Sequence, residues 1–267
     1  MELWTEKHKP KTIGEIVGQK KVIEEVLSYT DSLKREKALL LTGPSGVGKN
    51  LILETIARER KYLLIQLDAS DERSRDKIEK VVDSSKTRSL FHSGKLILID
   101  EVDGISGRDR GAISSIINLI RKSPYPVFLI ANDPWKPKLR PLMSYCKIVK
   151  LSRIPAPSIK KRLREICERE NIRCPDDVLS SLARWSQGDM RSAITDLQNV
   201  ALGKRELKDE DLEVLGFRER ENTIFNIMPT IYFSKSITAC KKAIGSLTID
   251  PDLVFRWVEY NLSLIHI

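Results

Sequence analysis

The sequence predicts an α/β fold, a parallel sheet covered on both faces by helices, followed by a smaller all-helical region. Three observations lead there. Between positions 37 and 150, short apolar runs alternate with segments of helical period. The runs are apolar throughout, as in strands buried on both faces. Beyond position 150 the runs give way to helical stripes alone.

In chain order, Ala38-Leu39-Leu40-Leu41 reads as the first strand, with Gly-rich residues and a helix near 51–58 behind it. A second strand is expected at 62–67, a charged helix at about 75–85, and a third strand at 95–99 continuing to Asp100. A helix at 112–122 and a fourth strand at 126–131 complete this part, and 151–157 reads as a linker. Ile159, Leu163, Ile166 and Cys167 then share one helix face, and Val178, Leu179, Leu182 and Ala183 share the next, with Pro175 at its start. Gly188 suits the end of that helix, and Asp189 the cap of a third carrying Ile194, Leu197 and Val200. The expected domains are 1–155, 156–215 and a further helical start over 216–267.

With 267 residues, 41% apolar and 31% charged, the chain is too apolar to be disordered and too charged for a membrane bundle. No apolar run approaches the roughly 20 residues of a membrane span, and Met1-Glu2-Leu3-Trp4-Thr5-Glu6 lacks the layout of a secretion signal. A cytoplasmic protein with no membrane partner is expected. Cys146, Cys167, Cys174 and Cys240 form no CxxC pair, which favours reduced thiols over a zinc cluster. The net charge of +9 suits a polyanionic partner, although surface lysines that serve solubility would give the same sum.

Gly43-Pro44-Ser45-Gly46-Val47-Gly48-Lys49-Asn50 follows the first strand and opens a helix. It fits the phosphate-loop pattern G-x-x-x-x-G-K-[ST] at every position but the last. Glycines let backbone N–H groups turn inward around phosphates, the helix N-terminus adds positive potential, and Lys49 would reach the β/γ-phosphates. At position 50 a Ser/Thr hydroxyl usually ligates Mg²⁺; Asn50 offers a carboxamide oxygen instead, so nucleotide binding is expected to survive better than hydrolysis.

Leu96-Ile97-Leu98-Ile99-Asp100-Glu101 is a buried strand ending in two carboxylates. Asp100 is placed to join a magnesium shell and Glu101 to activate water, whereas Asp103 serves the turn. Asn132, ending the fourth strand, could hold that water, or simply begin a turn. Arg191, in the first turn of a helix, could reach a phosphate, or lie on the surface.

Together these residues resemble an AAA+ ATPase with a RecA-like P-loop domain, a helical lid and the start of a helical collar. More narrowly they are similar to the clamp-loader family, in its archaeal replication factor C large-subunit branch. Trp4 to Pro10 with Ile16-Val17-Gly18-Gln19, Asp68-Ala69-Ser70-Asp71-Glu72-Arg73, Asp100-Glu101-Val102-Asp103, Gly107-Arg108-Asp109-Arg110-Gly111, Ala131-Asn132-Asp133-Pro134-Trp135 and Gly188-Asp189-Met190-Arg191 carry the likeness, which runs from Leu3 to about Leu202. The resemblance implies ATP and Mg²⁺ as cofactors, with His8, Pro10 and Val17 around the adenine. It implies assembly with replication factor C small subunits into a pentamer that opens a sliding clamp and loads it on primer–template DNA.

Arg73, Arg108 and Arg110 would face the DNA backbone, which needs only cations; a solvated surface role is the alternative reading. Ser144-Tyr145-Cys146 stands where small subunits have Ser-Arg-Cys, so no arginine finger is expected from this chain, and weak ATPase activity is expected of it alone. The helix around 116–120 is a candidate clamp contact. By the same resemblance the collar is cut short, and the last five or so residues, up to Ile267, read as translated sequencing adapter. Two other readings are a nucleotide-binding scaffold with impaired hydrolysis and a different AAA+ DNA-dependent ATPase.

Overall fold

The computed structural model describes residues 2–32, 37–69, 93–105 and 110–215, with Ser236 and Thr238. The charged helix expected at 75–85 and nearly all of 216–267 lie outside the described residues. Among the described residues five strands form one parallel sheet: β1 (Ala38–Thr42), β2 (Tyr62–Asp68), β3 (Gly94–Asp100), β4 (Val127–Ala131) and β5 (Cys146–Lys150), in the order β2-β3-β4-β1-β5. Every pairing is parallel, with Leu40 level with Leu129 on one side and Ile148 on the other.

The unbroken apolar runs follow from this layering. Successive residues of a strand point to opposite faces. Ala38, Leu40, Ile97, Ile99, Val127 and Leu129 pack on one face, beneath helix α4 (Arg110–Lys122). Leu39, Leu41, Leu96, Leu98, Phe128 and Ile130 pack on the other, against α2 (Lys20–Asp31) and α3 (Lys49–Glu59). Ile116, Leu119 and Ile120 of α4 are buried in the first of these layers.

Besides the one-turn helices, two elements escaped sequence reasoning. Strand β5 reads Cys-Lys-Ile-Val-Lys, too polar for a buried run, because it is a sheet edge whose lysines are exposed; such charges also oppose pairing with another chain. Helix α2 buries Val22, Ile23 and Val26, an i, i+1, i+4 stripe that the periodicity already contained.

Three helices follow, α6 (Ala156–Arg169), α7 (Asp176–Trp185) and α8 (Met190–Ala201), around their own core of Ile159, Leu163, Ile166, Leu182 and Leu197; the short α5 (Arg140–Met143) precedes β5. Pro157 lies in the first turn of α6, where its missing N–H costs nothing, so the expected linker is two residues shorter than its apparent length. Asp189 caps α8 by accepting the N–H of Ser192 at 2.8 Å. The N-terminal segment, with α1 (Trp4–Lys7), lies against α8, and Trp4 and Val17 pack on the core of this helical region. Among the described residues no helix is long and apolar enough to cross a membrane.

Leu40 is fully buried at the centre of the sheet, whereas Ile148 on β5 is 37% exposed. Leu40→Ala is expected to destabilise the protein by about 2–5 kcal/mol, and Ile148→Ala by under about 1 kcal/mol, as read by urea unfolding.

Candidate functional site

Parallel sheets bind ligands beyond the carboxyl ends of their strands. Here the turns after β1, β3 and β4 meet the start of α8 and the N-terminal segment around a cavity of about 330 Å³. His8, Pro10, Val17, Ser45, Gly46, Val47, Gly48, Lys49, Asn50, Asp100, Glu101, Asn132 and Arg191 all line it. Gly43 and Pro44 stand just behind, holding Lys49 through their carbonyls.

The loop from Gly43 to Gly48 owes its shape to backbone conformations that only glycine adopts cheaply. Gly46 has φ +66°, and a Cβ there would fall 1.7 Å from Oδ1 of Asp189. The loop and the helical region therefore touch directly, and the N–H of Met190 donates to the carbonyl of Gly46 at 3.2 Å. Gly48, at φ +97°, ends the loop and opens α3, whose first N–H groups lack partners within the helix.

Lys49 Nζ donates to the carbonyls of Gly43 at 2.7 Å and Pro44 at 2.8 Å, and to Oδ1 of Asn132 at 2.8 Å. Burial is the main cause that holds its pKa below the usual lysine value, and Arg191 adds to it; Asp100, Asp103 and Asp189 pull the other way. A polyanion laid between Lys49 and Arg191 would favour the charged ammonium. The carboxamide Nδ2 of Asn50 donates to Oδ2 of Asp100, while the N–H of Glu101 donates to Oδ1 at 2.8 Å. Asp100 thus presents a carboxylate at the cleft with the Asn50 carboxamide beside it; with that amide turned, Asn50 would add a second oxygen of the hard kind a magnesium ion accepts. Glu101 is exposed to the cleft and takes the left-handed region at φ +51°, an uncommon conformation outside glycine that often marks functional positions.

Asp103 is buried, in a 3₁₀ turn at Val102–Gly104. Its carboxylate accepts the N–H groups of Asn132 and Asp133, each at 3.3 Å, and pairs with Lys136 at 3.2 Å. Burial raises its pKa, but these three partners outweigh that and hold it below the usual aspartate value.

One residue of the remaining wall, Arg162, escaped sequence reasoning. Arg162 of α6 is 4% exposed, lines the cavity and donates to the carbonyl of His8 at 2.7 Å. The His8 ring is held by Glu170 at 2.6 Å and meets Trp4 edge-on. On the other side Lys9 pairs with Glu54 of α3 at 2.5 Å. The N-terminal segment thereby ties the helical region to the sheet domain across the cleft. A buried arginine on an apolar helix face was the available signal for Arg162.

Of the expected DNA-facing residues, Arg73 and Arg108 lie outside the described residues, and Arg110 is the first residue of α4. Tyr145 has a cation beside it that the sequence did not reveal. Arg121 donates to its hydroxyl at 2.8 Å and sits 4.9 Å from its ring centre.

Comparison with known proteins agrees with this geometry. Residues 39–150 match the family model of the ATPase family associated with various cellular activities, AAA, and residues 161–202 match that of the RCF1/5-like, AAA+ ATPase lid domain. The chain is 39% identical over 266 residues to the replication factor C large subunit of Thermofilum pendens, spanning 97% of this chain and 64% of that protein. It is 38% identical to the same-named protein of Sulfurisphaera tokodaii, spanning 98% of this chain and 61% of that one. The chain therefore spans under two thirds of the length of these relatives. A solved variant of Thermotoga maritima RuvB superposes with a TM-score of 0.66 at 17% identity, over 96% of this chain and 91% of that one, a likeness of fold.

The contact at Gly46 yields a direct test. Gly46→Ala is expected to lower stability by about 1–3 kcal/mol, from positive-φ strain and the clash with Asp189. In Asp189→Ala, which removes the clashing carboxylate, the added cost of the alanine should shrink; equal costs in both backgrounds would show that the two residues do not meet.

Proposed function

We propose, from the premise that the chain belongs to the AAA+ clamp-loader family, that it acts as the large ATP-binding subunit of a replication factor C loader. In this reading it works with small subunits, a sliding clamp and primer–template DNA, in the cytoplasm at the nucleoid. The observation that supports it best is the convergence of the Gly43–Lys49 loop, Asp100-Glu101, Asn132 and Arg191 on one cavity. The size of that cavity, about 330 Å³, suits a small-molecule ligand.

The loop amides, Lys49 and Arg191 would bind the phosphates of ATP, with His8, Pro10 and Val17 near the base. Glu101 takes the proton from an attacking water that Asn132 helps to orient. Asp100 and the Asn50 carboxamide oxygen would hold Mg²⁺, which when bound offsets the phosphate charge. Asn50 must first turn its amide, because its nitrogen now donates to Asp100. That reorganisation would slow hydrolysis in the isolated chain. With Tyr145 in place of an arginine, the chain offers no finger and depends on a neighbour's. ATP binding grips clamp and DNA, and hydrolysis releases them, as a switch. The three domains, 1–155, 156–215 and 216–267, would serve as ATPase core, lid and start of the collar.

The Asn50–Asp100 pairing also favours a second reading, in which this subunit binds ATP for assembly and hydrolyses little of it. One experiment separates the two. In the complex reconstituted with small subunits, Glu101→Gln should keep ATP binding and lower this subunit's turnover by about 10²–10⁴-fold, and Asn50→Thr should raise turnover or Mg²⁺ affinity. Unchanged turnover in both variants would leave the scaffold reading.

A further inference from the structure

The structure assigns Asp103 as a positioning residue that sets Asn132 in place for hydrolysis, an inference that rests on the ATPase reading above. A carboxylate that merely closed a turn would sit at the surface with one local partner. Asp103 is 6% exposed and reaches across from the end of β3 to the end of β4, where it accepts two consecutive N–H groups, those of Asn132 and Asp133, both at 3.3 Å. Lys136 closes the arrangement from outside, pairing with the carboxylate at 3.2 Å and donating to the backbone carbonyl of Asp103 at 3.0 Å. The turn that carries Asp103 is itself anchored by Val102 and Ile105, 0% and 2% exposed.

Asn132 is thereby held at three points, by the turn after β3, by the end of β1 and by the start of α3. Asp103 takes its N–H, Thr42 Oγ1 of β1 approaches its carbonyl at 3.4 Å, and Lys49 donates to its Oδ1 at 2.8 Å. A backbone fixed this way carries its side-chain amide with little freedom, and a displacement of about 1 Å at such a group can cost about a hundredfold in rate. Asp103 also lies close enough to Lys49 to favour its charged form. The two roles part experimentally: an effect exerted through Lys49 would show in ATP affinity, whereas loss of the Asn132 anchor slows the chemical step at unchanged affinity.

The test is a double-mutant cycle on the reconstituted complex whose small subunits are hydrolysis-dead, reading kcat and ATP dissociation constant separately. Asp103→Ala is expected to lower kcat about 10–100-fold and to change ATP affinity by less than about twofold. Asp103→Asn, which keeps one acceptor oxygen, should lose less, and it replaces the alanine variant in the cycle if that one does not fold. Adding Asn132→Ala to either should cost little more than Asn132→Ala alone, since both act through one group. Losses that multiply, a full rate in Asp103→Ala, or a loss confined to affinity would each overturn the assignment. Glu101→Gln serves as the control. If it too turns over at the full rate, the ATPase reading falls and takes the role of Asp103 with it; if it is inactive while Asp103→Ala is not, the role of Asp103 alone falls.

Discussion

The ammonium of Lys49 is the feature on which the rest of the site depends. Burial disfavours its charge, and Arg191 across the cleft disfavours it further. It is held in place by two loop carbonyls and by Asn132. Two cations brought this close, beside a helix N-terminus, form a cradle for a polyanion. The sheet serves that arrangement: β1 delivers the loop, β3 delivers Asp100 and Glu101, and β4, its neighbour in the sheet, delivers Asn132.

The helical region is a wall of the site rather than a separate module. Asp189 and Met190 rest on Gly46, Arg153 donates to the carbonyl of Gln187 at 2.6 Å, and Arg162 holds the backbone of His8. A ligand that moves the loop therefore pushes on α8 directly, and one that enters near His8 pushes on α6. Both contacts give the proposed switch a physical path between phosphate and lid, through the Gly46 backbone on one side and the Arg162 side chain on the other.

Much of this was legible in the sequence. The three central strands, β3, β4 and β1, showed as unbroken apolar runs because both their faces are buried, and the phosphate loop showed because its glycines are needed at φ values other residues avoid. Asp189 as a cap and the helices around it followed from the period and the Gly-Asp pair. What stayed hidden had long-range causes. Strand β5 is an edge, so its solvent-facing lysines erase the apolar signal. Asp103 looked like turn chemistry because its partners, Asn132 and Asp133, come from a strand that is distant in sequence and adjacent in the sheet. Arg121 beside Tyr145 and Arg162 beside His8 are likewise contacts that only the fold creates.

The central claim is that the cleft at the carboxyl ends of the strands is built for the phosphates of ATP, with Lys49 as its principal cation. Calorimetric titration of ATP into the wild-type chain and into Lys49→Ala tests it most directly. One saturable site in the wild type, weakened at least about tenfold in the variant by loss of a charge-assisted contact, is the predicted result. Equal affinity in both, or no binding by the wild type, would contradict it.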